Sequence, residues 1–130
     1  MMTSNHTLRH INAQQIELSH ETIEPTQRVT EKPIVTTGHL EIGELKGCSV
    51  GIWEMSSGNM TDVEEDEYFV VLSGRGTVQV LAENGFTEQT QRLTVGSVVR
   101  LVAGMHTVWK VEEPLRKIYI TPSDETPSRT

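Results

Sequence analysis

The chain has one cysteine, Cys48, so no disulfide can form within it. It has no apolar run near the ~18 residues that a membrane helix needs, and residues 1–15 lack the apolar stretch of a signal peptide. It has no excess of basic residues: 11 Lys and Arg stand against 18 Asp and Glu, for a formal charge of -7. No basic stripe is present, so nucleic acid and an anionic membrane surface are excluded as partners on electrostatic grounds. These absences leave a cytoplasmic protein as the expectation. Aromatic residues are few as well, with two each of Trp, Tyr and Phe. Trp53, Tyr68, Phe69, Trp109 and Tyr119 all fall between residues 53 and 119, which locates the core.

At 130 residues the chain suits one domain. The packed part is expected over 34–121. Residues 1–33 are polar and patternless, a flexible arm that either stays unstructured or adds a strand elsewhere. Residues 122–130 have the composition of a disordered tail.

What is present is a period of two cut by glycine. Strands are expected at 40–45, 49–55, 67–72, 77–81, 98–102, 107–112 and 115–120. Asn84-Gly85 favours a turn with positive φ, so 77–93 reads as a hairpin. Short strands with regular turn signals argue for an antiparallel barrel or sandwich. On the strand from Glu67, both faces are apolar: Phe69 and Val71 on one, Tyr68, Val70 and Leu72 on the other. A barrel covers its own inner face; the outer face then calls for a second sheet or a second copy, hence a homodimer.

Five segments in order, GIWEMSSG (51–58), DEYFVVLSGRG (66–76), GSVVRLVAG (96–104), TVWKV (107–111) and LRKIYI (115–120), resemble the small cupins grouped with the (S)-ureidoglycine aminohydrolase cupin domain and the ethanolamine-utilisation cupins. The resemblance spans about 38–121. It implies an all-β cupin (RmlC-like jelly-roll) barrel. Many cupins hold one divalent ion on three histidines and a glutamate. Here Glu67 and Gly74 fit the second half of the first motif. The paired histidines would fall at Met60 or Thr61 and at Asp62 or Val63, and Thr107 stands at the third. The pattern retains one ligand of four. Glu67, with Asp62 in reserve, could hold only a hard ion such as Mn²⁺ or Mg²⁺, weakly.

The candidate site follows. Among the five carboxylates of 62–67, Glu67 is expected on the inner wall as the acid–base group; Asp62, Glu64, Glu65 and Asp66 read as a solvated loop. Trp109 and Thr107 share the cavity face, with Phe69 on the same wall. Glu54 is paired with Lys117 as a buried ion pair, and Tyr119 offers a hydroxyl beside it. His106 reads as a loop histidine and Cys48 as a small core residue. The functional expectation is a small polar metabolite bound in the barrel, with Glu67 in acid–base chemistry. The rivals are a non-catalytic ligand sensor and a structural dimer whose pocket is plugged by Trp109.

Overall fold

The computed structural model describes residues 8–123. Eight antiparallel strands form β1 (His20–Thr22), β2 (Thr36–Leu45), β3 (Cys48–Met55), β4 (Gly58–Val63), β5 (Glu67–Val80), β6 (Gln89–Leu93), β7 (Val98–Leu101) and β8 (His106–Pro122). A single 3₁₀ turn, Pro25–Gln27, is the only helical element among the described residues. None of it is long and apolar enough to cross a membrane as a helix.

β5 and β8 are the spine. Their C-terminal and N-terminal halves, respectively, pair with each other and carry β6 and β4 on their flanks. Their other halves also pair, flanked by β7 on one side and by β3, β2 and β1 on the other. Register breaks between Val71 and Gly76 bend both strands, so one continuous ribbon supplies two facing sheets. This is the expected all-β antiparallel barrel. The strands expected at 67–72 and 77–81 are one strand, as are those at 107–112 and 115–120, with Gly74 and Pro114 inside β5 and β8 at the bend. Gly74 has φ +87°, and a Cβ there would collide with the Pro114 carbonyl. Pro114 falls where the ladder is interrupted, so its missing N–H costs no pairing.

Alternation sets the faces. Phe69, Val71, Val78, Val80, Trp109, Val111 and Leu115 point between the sheets and are buried. Tyr68, Val70, Val98 and Ile120 point outward and remain 55%, 36%, 65% and 45% exposed in the single chain. Within residues 8–33, a short strand at 20–22 pairs with β2. Ahead of it, Gln14 Nε2 donates to Leu72 O, and Arg116 Nη1 donates to the carbonyls of Ala13 and Ile16. The sheet runs through Pro122; residues 124–130 of the expected tail lie outside the described residues.

Candidate functional site

β4 was missed by the sequence pattern, and it carries the decisive side chains. Met60, Asp62 and then Glu64 alternate inward, while Thr61 and Val63 face out. Glu64 lies one residue past the strand, yet the ladder continues through it: its N–H donates to Met105 O and its carbonyl accepts from Gly104. The parity therefore holds, and Glu64 is only 7% exposed. This corrects the reading of Glu64, and of Asp62 within β4, as solvated loop carboxylates. Glu65 is exposed as expected, and Asp66 is taken up by Arg100 and the Ala103 N–H.

Glu64 Oε2 accepts from Thr107 Oγ1 at 2.7 Å and from Trp109 Nε1 at 3.1 Å. Thr107 and Trp109 share a face of β8, two residues apart, which is why both reach the same oxygen. Among the described residues Oε1 accepts no hydrogen bond. It is not sealed in the protein either, since no fully buried side-chain oxygen lacks a partner. Burial pushes the Glu64 carboxyl above its usual range; the Thr107 hydrogen bond and the more distant Lys117 charge only partly offset it, and Asp62 adds repulsion. Burial raises Asp62 too, against hydrogen bonds from the Val63 N–H and Gln27.

The expected Glu54–Lys117 pair does not exist. Residues 54 and 117 lie on opposite faces of the sheet, because register pairs Glu54 with Arg116 and Trp53 with Lys117. Glu54 faces outward, where Oε2 accepts from Arg116 Nε at 3.1 Å and Oε1 pairs with His20 Nε2 at 2.8 Å. It is no part of the cavity. Lys117 faces inward and pairs with Glu67 Oε2 at 2.7 Å. Its Nζ lies 4.7 Å from the ring centre of Trp53, 4.2 Å from that of Phe69 and 4.9 Å from that of Trp109. An ammonium taken out of water costs several kcal/mol; one carboxylate and three aromatic faces, each worth up to ~2 kcal/mol when desolvated, hold it there.

Around these groups opens a cavity of ≈ 270 Å³. Glu64, Glu67, Asp62, Lys117, Trp109 and Tyr119 line it, and Trp53, Met60 and Glu65 are among the other residues of its wall. Trp109 thus walls the cavity without plugging it. Three expected ligand contacts, Trp109, Tyr119 and Lys117, face the space. Thr107 stands behind Glu64 and orients it, and Phe69 lies beneath Lys117. Gly51 leaves room for the Tyr119 ring, which a Cβ would strike. His106 begins β8 rather than occupying a loop; its ring bridges Thr61 and Glu83 on the face away from the cavity.

The residues present do not fit a divalent metal. At the four positions where the cupin motifs place ligands stand Met60, Asp62, Glu67 and Thr107, of which Glu67 is paired with an ammonium and Thr107 donates to Glu64. No group of three or more His, Cys, Asp or Glu among the described residues is arranged to bind one.

Comparison with known proteins agrees with this architecture. The family described as EutQ-like cupin domain matches residues 42–119. The EutQ protein of Clostridium difficile superimposes with a TM-score of 0.59 at 17% identity, covering 82% of each chain. A putative ethanolamine utilization protein Q from Salmonella typhimurium gives 0.54 at 14% identity, over 85% of this chain and 99% of that one. Ectoine synthase from P. lautus gives 0.56 at 14% identity, over 88% and 78%. At such identities the likeness speaks for the fold alone. No curated protein matches.

Proposed function

The chain belongs to the EutQ-like cupin domain family, and we propose that its barrel binds a small polar metabolite, with Glu64 rather than Glu67 exchanging a proton with it. The observation that carries this reading is the free Oε1 of Glu64, on a side chain held by two donors and facing a cavity. A carboxyl raised by burial and oriented by neighbours is suited to acid–base work near neutral pH. Glu67 has its Oε2 committed to Lys117, so its role is to hold that ammonium in place.

The test is turnover or binding of a panel of small polar metabolites by wild type, Glu64→Gln and Glu67→Gln. The reading expects Glu64→Gln to abolish turnover with the fold intact. Turnover retained in Glu64→Gln and lost in Glu67→Gln would restore Glu67 as the acid–base group. A non-catalytic sensor is the second reading, favoured by one adjacency: Lys117 on the cavity wall is followed back along β8 by Arg116, which anchors the arm at Ala13 and Ile16. Ligand binding without turnover, together with altered protease susceptibility of the arm, is its signature.

We also propose that a second copy covers the outward face. Val98 pairs with Val70, and Tyr68 with Ile120, so these exposed side chains share one face of β7, β5 and β8. A two-fold axis would lay this face on itself. Sedimentation should give a dimer that Val70→Asp converts to a monomer; a monomeric wild type at 100 µM-scale concentration (order of magnitude for weak association) would refute it.

A further inference from the structure

We infer that the metabolite is a small primary aliphatic amine, held as its ammonium ion by the free oxygen of Glu64; this deepens the reading of the cavity as a ligand site and rests on it. The charges facing the cavity decide the class. Asp62, Glu64, Glu65 and Glu67 stand against Lys117, with His39 and Tyr119 on the same wall. Lys117 is already balanced by Glu67 and enclosed by three rings. Among the described residues Asp62, Glu64 and Glu65 have no cationic side chain within ion-pair distance. An anionic ligand would meet carboxylates that no cationic side chain balances, in a cavity partly open to solvent, and a cation the reverse.

The geometry narrows the cation further. Glu64 presents to the cavity an accessible oxygen that no protein donor takes, and a ligand N–H can complete it. Three aromatic faces that would suit a quaternary ammonium, those of Trp53, Phe69 and Trp109, are already engaged by Lys117, which leaves Tyr119 alone. A volume of ≈ 270 Å³ admits a molecule of a few carbons, at ~30 Å³ per water displaced. Met60, Trp53 and Trp109 supply apolar wall for its methylenes. A second cavity of ≈ 450 Å³ adjoins the first, sharing Glu65, Tyr119 and Thr121 and adding Glu41. A second amino group at the far end of the ligand would therefore meet Glu65 and Glu41, and a diamine should bind more tightly than a monoamine.

Both tryptophans of the chain line the cavity, so intrinsic fluorescence reports on it. The full chain would be titrated at constant ionic strength with 1,4-diaminobutane, n-butylamine, tetramethylammonium, butyrate and butanol. The inference expects saturable change with both amines, tighter for the diamine, and none with the other three. Affinity for both amines should fall at least ten-fold in Glu64→Gln, a near-isosteric change whose fold is checked by its two indole N–H resonances. Glu41→Gln, at an exposed position, should remove only the diamine's advantage. Equal amine affinity in Glu64→Gln, or saturation by butyrate or butanol but not by the amines, overturns the amine while leaving the cavity a ligand site. No saturation by any probe overturns both.

Discussion

Two carboxylates, ten residues apart, end in opposite circumstances. Glu54 lies on the outer face between Arg116 and His20; Glu64 lies inside, held by a hydroxyl and an indole. Burial works against ionisation of both. At Glu54 the hydrogen bonds from Arg116 and His20, with their charges, outweigh it and bring the carboxyl below its ordinary 4.5. At Glu64 the neutral donors do not, and the carboxyl rises above 4.5. The first arrangement stabilises a charge and, through Arg116, ties the arm to the sheet. The second buries a carboxyl whose ionisation its surroundings disfavour, which is the pattern of a group kept for a ligand.

The comparison breaks first at Arg116. Arg116→Met leaves Glu54 short of its main partner and frees the carbonyls of Ala13 and Ile16. Urea unfolding should show a loss of about 3 kcal/mol; a loss under ~1 kcal/mol would mean the outer cluster is not structural. Glu64→Gln should go the other way, leaving the protein at least as stable as wild type at pH 7, because a carboxyl whose ionisation burial disfavours becomes a neutral amide and both donors keep an acceptor. A loss above ~1 kcal/mol would make Glu64 a structural carboxylate and remove the contrast.

pH sharpens the same contrast. With its folded-state pKa raised, Glu64 contributes stability present below the unfolded value, near 4.5, and lost as pH rises through the higher folded value. With its folded-state pKa lowered, Glu54 contributes stability present above 4.5 and lost as pH falls through the lower folded value. Unfolding curves from pH 3 to 8 (spanning the ordinary carboxylate range) for wild type, Glu54→Gln and Glu64→Gln should therefore diverge in opposite windows. The same window for both would refute the assignment. The smallest effect is expected from Asp62→Asn. Asp62 repels charge on Glu64, so its neutralisation should move the Trp109 indole N–H titration to lower pH; an unmoved midpoint would show the two carboxylates to be uncoupled.

Most of the fold was legible because alternation is a backbone rule. It placed Phe69, Val71, Thr107 and Trp109 inside, and Tyr68 and Val70 outside. The errors have physical causes. Gly74 and Pro114 read as stops, but in a bent ribbon they are what permits the bend. β4 hid because its inward positions are Met60 and Asp62, only one of them apolar. The count that would have found Glu64 is short: from buried Met60, steps of two reach 62 and 64. A run of five acids argues for solvent only when no ladder runs through it. The Glu54–Lys117 pairing failed on the same parity, since register sets 54 opposite 116. Glu67 lines the cavity, but its tie to Lys117 is a contact across fifty residues that no local pattern records.

The position of β8 has a kinetic consequence. The last strand in chain order is the one on which β3, β4 and β5 all pair, and the arm docks on Arg116 from about a hundred residues away. During synthesis, the earlier strands must wait with open edges until residues 106–122 emerge. Such long-range closure belongs to slow folders, with refolding expected on the millisecond-to-second scale. While it waits, the nascent chain presents its apolar strands to whatever else is near.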